Sequence, residues 1–198
     1  LACCRMVGRE VAIREDDPHA MIILGINAHH ADAAACIVVD GKLVAAAMRR
    51  LGDNARIRFL FVGAGAQMDV VRDGKAVFAP YQPRETLSES LSAGDAHLVS
   101  LQPQLEGLIV PSKFYGILAV ARPVIFVGAQ DGELARIIRE REIGYVVAPG
   151  NDAGLVRAIE ELAADRARAA AMGRRGRALY DERFAPEIAL AEWERILA

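Results

Sequence analysis

Short apolar runs alternate with amphipathic segments from about residue 50 onward, and this alternation constrains the fold more than any other feature of the sequence. Runs such as RIRFLFVG, AHLVSL, PVIFVG and GYVVAP are typical of buried strands. Between them, GELARIIRERE places Leu134, Ile137 and Ile138 on one stripe, which is typical of a helix packed on a sheet. Strands that alternate with helices form a parallel sheet covered on both faces. We therefore predict an α/β fold, a doubly wound parallel sheet, over residues 50–198.

The part of the chain before residue 50 lacks this alternation. Residues 1–20 are of mixed charge and carry no apolar pattern, so we expect a disordered tail. Residues 21–49 carry apolar runs on either side of Asp40-Gly41, a dipeptide that favours a tight reversing turn because it tolerates positive φ. This pattern predicts an amino-terminal β-hairpin segment and a boundary with the main domain near residue 50.

The charge and the cysteine content exclude several classes of protein. The net charge is −2 over 198 residues, so no general field favours nucleic acid as a partner. The apolar runs are too short to span a bilayer. Cys3, Cys4 and Cys36 lack the spacing of a disulfide framework, which indicates a reducing compartment and a cytoplasmic protein. No further Cys/His cluster completes a zinc site around His29-His30, so we predict no metal.

The segment LEGLIVPSKFYG, which follows the strand AHLVSL, is the main candidate for a ligand site. In a doubly wound sheet, ligands lie outside the carboxyl ends of the strands, where helices begin. Ser112 is a good helix N-cap, and the exposed N–H groups of a helix start attract anions. Lys113 opposes the helix dipole in the first turn, which favours a bound phosphate; the alternative is a capped helix with a solvated lysine. Glu106 can accept hydrogen bonds from sugar hydroxyls and Gly107 allows close backbone approach; the alternative is a surface glutamate in a turn.

The order of these motifs resembles a known family. FLFVGAGAQ, VFAPYQP, LEGLIVPSKFYG, ARPVIFVGAQDGE and MGRRGRALYDERF together resemble the carboxyl-terminal domain of GT-B glycosyltransferases of family 4, most of all the subgroup that builds bacterial surface polysaccharides. The resemblance covers about residues 50–198 and implies a Rossmann-like domain, half of a GT-B fold, that binds a nucleotide-sugar donor. It also implies transfer with retention to a saccharide or lipid-linked acceptor, without a metal or another cofactor.

The resemblance implies roles for the residues that match the family's motifs. Glu106 matches the first glutamate of a paired-glutamate motif that contacts the donor sugar, and Ser112 and Lys113 match a Pro-Ser-Lys at the helix start. Tyr81 lies where the family's nucleobase pocket forms; the alternative is a half-buried loop aromatic. No catalytic residue is assigned.

Other positions carry weaker signals or depart from the family's pattern. Gly63 and Gly65 form a G-x-G motif after a strand and are donor-binding candidates; the alternative is a strand-to-helix turn. Glu133 stands at another helix start, where helix capping is the favoured role. The second glutamate of the family's pair falls at Gly116, and the glycine that usually precedes Arg-Pro is Ala121.

Two parts of the family's enzymes are not recognisable in this sequence: the first strand and helix of the carboxyl-terminal domain, and the acceptor-binding amino-terminal half. The absent strand would be central, and a central gap would leave both flanking strands with unpaired backbone. We therefore predict that MIILGIN fills the central slot; residues 22–26 lying away from the strand at 57–62 would refute this. Residues 21–47 also resemble the first strands of O-carbamoyltransferases, with His30 and Asp32 near that family's motif.

The sequence thus predicts a glycosyltransferase donor-binding domain whose partners are a nucleotide sugar, an acceptor and a separate amino-terminal half. The alternatives are a non-catalytic nucleotide-binding remnant or half-enzyme and, further away, a carbamoyltransferase or a sugar-nucleotide epimerase. The arginine-rich helix Arg166–Arg183 offers a peripheral contact with the inner face of the membrane; the alternative is a solvated face.

Overall fold

The computed structural model of the chain describes residues 5–6, 9–10, 21–26, 41–52, 54, 56–63, 76–80 and 82–197. Its strands are β1 Arg5–Met6, β2 Arg9–Glu10, β3 Met21–Ile26, β4 Ile57–Val62, β5 Ala76–Ala79, β6 Ala96–Ser100, β7 Val124–Val127 and β8 Gly144–Val147. Its α-helices are α1 Gly41–Leu51, α2 Leu87–Ser92, α3 Lys113–Ala119, α4 Glu133–Glu140, α5 Asp152–Ala164, α6 Arg166–Arg183 and α7 Pro186–Leu197. Short 3-10 turns cover Arg84–Thr86 and Pro103–Leu105.

Six strands form one parallel sheet in the order β5-β4-β3-β6-β7-β8. The order reverses direction between β3 and β6, as in a doubly wound fold. The predicted α/β, Rossmann-like architecture is therefore confirmed. β1 and β2 form a separate antiparallel pair, so these four residues of the predicted disordered tail are paired; the rest of residues 1–20 lies outside the described part of the chain.

The central position of the sheet is occupied by β3. Ile22 is in register with Arg58 on one side, and Ile23 is in register with Ala96 on the other. The partly buried Asp95 side chain accepts a hydrogen bond from the Ile22 backbone N–H at 2.8 Å. The prediction that residues 21–26 fill the central slot is confirmed, because this apolar run can be buried on both faces of the sheet.

The predicted hairpin around Asp40-Gly41 is wrong, because residues 41–51 form helix α1. Leu43, Ala47 and Leu51 are buried and recur every four residues, so the run forms one apolar face of a helix. Helix α1 packs on α5, and Arg50 of α1 donates to Asp152 at 3.0 Å. Strand β3 and helix α1 thus share a sheet and a core with residues 57–197, which removes the boundary expected near residue 50.

The helices cover both faces of the sheet. Helices α1 and α5 bury one apolar cluster, to which α6 contributes Ala169 and Met172. Helices α3 and α4 bury a second cluster, to which the same α6 contributes Leu179. Helix α6 therefore spans from one layer to the other and contacts α3 closely.

Candidate functional site

Because the six strands are parallel, their carboxyl ends lie at one edge of the sheet, and the candidate residues follow these ends. Gly63 follows β4 with φ +108° and donates its N–H to Ala79 O at 3.0 Å. Residues 101–112 connect β6 to α3, and residues 128–132 connect β7 to α4. The last two connections carry most of the predicted site.

The loop after β6 turns sharply at Gly107. Its φ is +77°, a left-handed conformation that glycine adopts without steric cost. The backbone N–H groups of Leu108 and Ile109 both donate to Leu105 O, which closes the turn. Gly107 is therefore needed for the turn, and no atom lies within 4 Å of where a Cβ would stand.

The carboxylate of Glu106 reaches the start of helix α4. Its Oε1 accepts a hydrogen bond from the Glu133 backbone N–H at 2.7 Å, and its Oε2 is buried and has no hydrogen-bond partner. A Cβ at Gly132 would stand 2.5–2.7 Å from the carboxyl group, so only glycine fits above it. The carboxylate thus serves as an N-terminal cap supplied from a loop 27 residues away in sequence.

Helix α4 also fastens the loop that precedes it. The Arg139 guanidinium donates to Gln130 Oε1 at 2.9 Å and to the backbone O of Gln130. The Gln130 amide in turn donates to Gly128 O at 3.2 Å. The loop from Gly128 to Glu133 is held at both ends, by Arg139 and by Glu106.

A cavity of about 200 Å³ opens between this loop, the β6–α3 loop and helix α3. Its lining is mainly apolar, with carboxylates from Glu106 and Glu133 and the phenol of Tyr115. Burial raises the pKa of Tyr115, and the negative charge of Glu133 raises it further. Pockets for drug-sized ligands measure roughly 300–1,000 Å³, so this cavity suits one ring and not a whole nucleotide sugar.

A family model described as glycosyl transferases group 1 matches residues 40–165, which is more than half of the chain. The chain belongs to the glycosyl transferases group 1 family.

Known proteins resemble this group 1 chain in sequence and in fold. A probable glycosyltransferase of Pseudomonas aeruginosa, WbjE, is 34% identical over 120 residues, which are 57% of this chain and 30% of WbjE. Sucrose-phosphate synthase from Thermosynechococcus elongatus superposes with a TM-score of 0.67 at 22% identity, over 90% of this chain and 45% of that chain. TarM of S. aureus, solved with Fondaparinux, alpha-GlcNAc-glycerol and UDP, gives 0.66 at 19%, over 93% and 37%. The fold is that of one half of a GT-B glycosyltransferase, and the chain spans less than half the length of these proteins.

The predicted Pro-Ser-Lys motif of the group 1 chain lies at the start of helix α3. Ser112 is exposed, and its hydroxyl makes no capping hydrogen bond. Lys113 is half-buried and is the first residue of the helix. The structure therefore places both residues, with Glu106 and Gly107, on the single connection between β6 and α3.

Two predicted donor-binding residues of the group 1 chain, Gly65 and Tyr81, lie outside the described residues, as do His29 and His30. Gly116, where the resemblance expects a second glutamate, faces Leu91 of helix α2, whose Cδ1 would stand 3.1 Å from a Cβ there. A glutamate at this position would therefore begin against an apolar side chain. In the described part of the chain, no group of three or more His, Cys, Asp or Glu side chains could hold a metal. None of the described helices is long and apolar enough to cross a bilayer.

Sequence reasoning missed the residues that hold the β7–α4 loop of the group 1 chain. Arg139 and Gln130 carry no local signal, because their contact depends on the turn between them. Glu133 was predicted to cap its own helix; instead its backbone N–H is capped by Glu106 and its side chain is exposed. The sequence D-G-E after a strand marked the place but not the partner.

Proposed function

We propose that this chain is the donor-binding half of a retaining, family 4 type glycosyltransferase, which transfers a sugar from a nucleotide sugar to a saccharide or lipid-linked acceptor in surface-polysaccharide synthesis. The observation that carries the proposal is the grouping of Glu106, Gly107, Ser112 and Lys113 on one connection at the carboxyl edge of the sheet. Ligands of doubly wound sheets lie at this edge.

The chemistry of these residues matches the parts of a nucleotide sugar. The start of helix α3 offers backbone N–H groups and the Lys113 ammonium, which attract a diphosphate. The acidic cavity beside it offers carboxylates, which accept hydrogen bonds from neutral hydroxyl groups and repel phosphate. The site thus separates a cationic part from an anionic part, as a ligand with a diphosphate and a sugar requires. Neither a metal nor another cofactor is part of the proposal.

Binding without turnover is the outcome we expect for the isolated chain. Glycosyl transfer needs an acceptor held in register with the donor, and the chain spans 30% of WbjE. We propose that the acceptor-binding part lies on a separate polypeptide segment. The second candidate function is therefore a nucleotide-binding half-enzyme, and release of free sugar by the chain alone would exclude it.

Thermal unfolding in the presence of UDP and UDP-glucose tests the proposal. A ligand at 100 times its Kd stabilises the folded state by about 2.7 kcal/mol, or roughly 5–10 °C in Tm for a chain of this size. Lys113→Gln should reduce the shift, whereas Lys42→Gln, an exposed lysine on α1, should leave it unchanged. No shift with any of several nucleotide sugars at millimolar concentration would refute donor binding.

The ion pairs of helix α6 favour a solvated face for this helix over a membrane contact. The paired arginines and their partners are Arg166–Asp95, Arg168–Glu161, Arg175–Glu142, Arg177–Asp181 and Arg183–Glu182. A cytoplasmic location and the absence of a nucleic-acid partner remain part of the proposal. Sedimentation with anionic vesicles checks the membrane interpretation, and salt-sensitive binding would revive it.

A further inference from the structure

The carboxylate of Glu106 is enclosed by protein. Its Oε1 is engaged by the Glu133 N–H, its Oε2 has no exposed surface, and the backbone of Gly132 lies directly above the carboxyl group. A sugar hydroxyl cannot reach either oxygen in this arrangement. The direct sugar contact that the resemblance implies for Glu106 therefore disagrees with the geometry.

The enclosed carboxylate has a different physical effect, because it fixes the start of helix α4. A charged acceptor forms a stronger hydrogen bond with a backbone N–H than a neutral one, and the helix dipole favours the negative charge there. These effects offset the cost of leaving Oε2 unpaired. Together with the Arg139–Gln130 contacts, the bond immobilises Gly132 and Glu133.

The side chain of Glu133 meets the requirements that Glu106 fails. It is exposed, lies at the first position of α4 and lines the cavity of about 200 Å³. Its charge acts on the hydroxyl of Tyr115, so the carboxylate and a phenol stand close together at the cavity. An ionised carboxylate only accepts hydrogen bonds, which suits the O–H groups of a sugar.

We infer that Glu106 is a positioning residue and that Glu133 supplies the carboxylate that binds the hydroxyl groups of the donor sugar. Glu106 acts through the backbone of Gly132 and Glu133, whose orientation it sets. This inference rests on the proposed donor binding and assigns the sugar-contacting role within it.

Calorimetric titration of the full chain with UDP and with UDP-glucose, UDP-galactose and UDP-N-acetylglucosamine tests the inference. The quantity compared is the ratio of affinities for the best nucleotide sugar and for UDP. Glu133→Gln should reduce this ratio at least tenfold. Glu106→Gln should keep it within about threefold, because the amide oxygen still accepts the Glu133 N–H. Glu140→Gln, an exposed position on the same helix, is the matched control.

A second pair of variants separates positioning from binding. Glu106→Ala removes the cap and should lower both Tm and the affinity ratio, and Glu106→Gln should restore both. A ratio lost in Glu106→Gln but kept in Glu133→Gln would overturn the inference, as would a ratio of one for every sugar tested. Failure of UDP itself to bind would instead overturn the proposed function.

Discussion

Helix α3 ends at a residue whose backbone conformation disfavours the side chain present. Ala121 has φ +55°, in the left-handed region. Its N–H donates to Leu118 O at 3.0 Å and the Arg122 N–H donates to Ile117 O at 3.2 Å, which is the Schellman pattern that usually carries glycine. An L-residue in this conformation costs roughly 1–2 kcal/mol, and glycine returns roughly 0.5–1 kcal/mol of that through its larger freedom in the unfolded chain.

We therefore expect Ala121→Gly to stabilise the fold by roughly 0.5–1 kcal/mol, or about 1–4 °C in Tm. Urea unfolding measures this as a higher midpoint with an unchanged slope. Ala119→Gly is the matched control, since the same atoms are removed within the helix, and it should destabilise by about 1 kcal/mol. Equal effects of the two substitutions would refute the reasoning, because both would then report lost packing and not backbone strain.

Further predictions concern the core and the surface. Burial lowers the pKa of His97 to about 3, against about 6.5 in the unfolded chain, so unfolding takes up a proton between these values. The free energy of unfolding should then fall by about 2 kcal/mol from pH 8 to pH 5, and His97→Gln should flatten that slope. Gly173→Ala places a Cβ 2.1 Å from Ala121 O and should destabilise by roughly 1–3 kcal/mol in urea unfolding; an unchanged midpoint would contradict this close packing. Trp193 is 62% exposed on α7, so Trp193→Ser should change stability by less than about 0.5 kcal/mol, and a larger loss would show that α7 packs against other residues.

The fold was predictable to the extent that each element carries its own pattern. β4, β6 and β7 are apolar runs of strand length, and the need to pair both flanks of a central gap identified β3 from its sequence alone. Helix α1 was not predictable in the same way, because LVAAAM is apolar throughout and fits a buried strand or a buried helix. Asp40-Gly41 favoured the strand interpretation locally, and packing against α5 decided otherwise.

The candidate site was predictable in place but not in detail. The position of Glu106 after β6 follows from topology, since loops at carboxyl ends of parallel strands share one edge. Its bond to the Glu133 N–H joins residues 27 apart and depends on how α4 leaves β7, which no local pattern encodes. The glycine at 132 was the available signal, because only a residue without a Cβ admits a carboxylate above it. Gly65 and Tyr81 stay predictions.

Helix α6 links the carboxyl ends of the two helices that begin at the site. Its Arg177 donates to Ala119 O at 2.8 Å at the end of α3, and its Arg175 donates twice to Glu142 O, at 2.9 and 2.6 Å, beyond the end of α4. Helices of seven and eight residues are only about 10–12 Å long, so fixing one end fixes the other. The arginines of α6 therefore set where Ser112 and Glu133 stand relative to each other. A composition that suggests a basic surface in sequence serves in the fold to hold the donor site rigid.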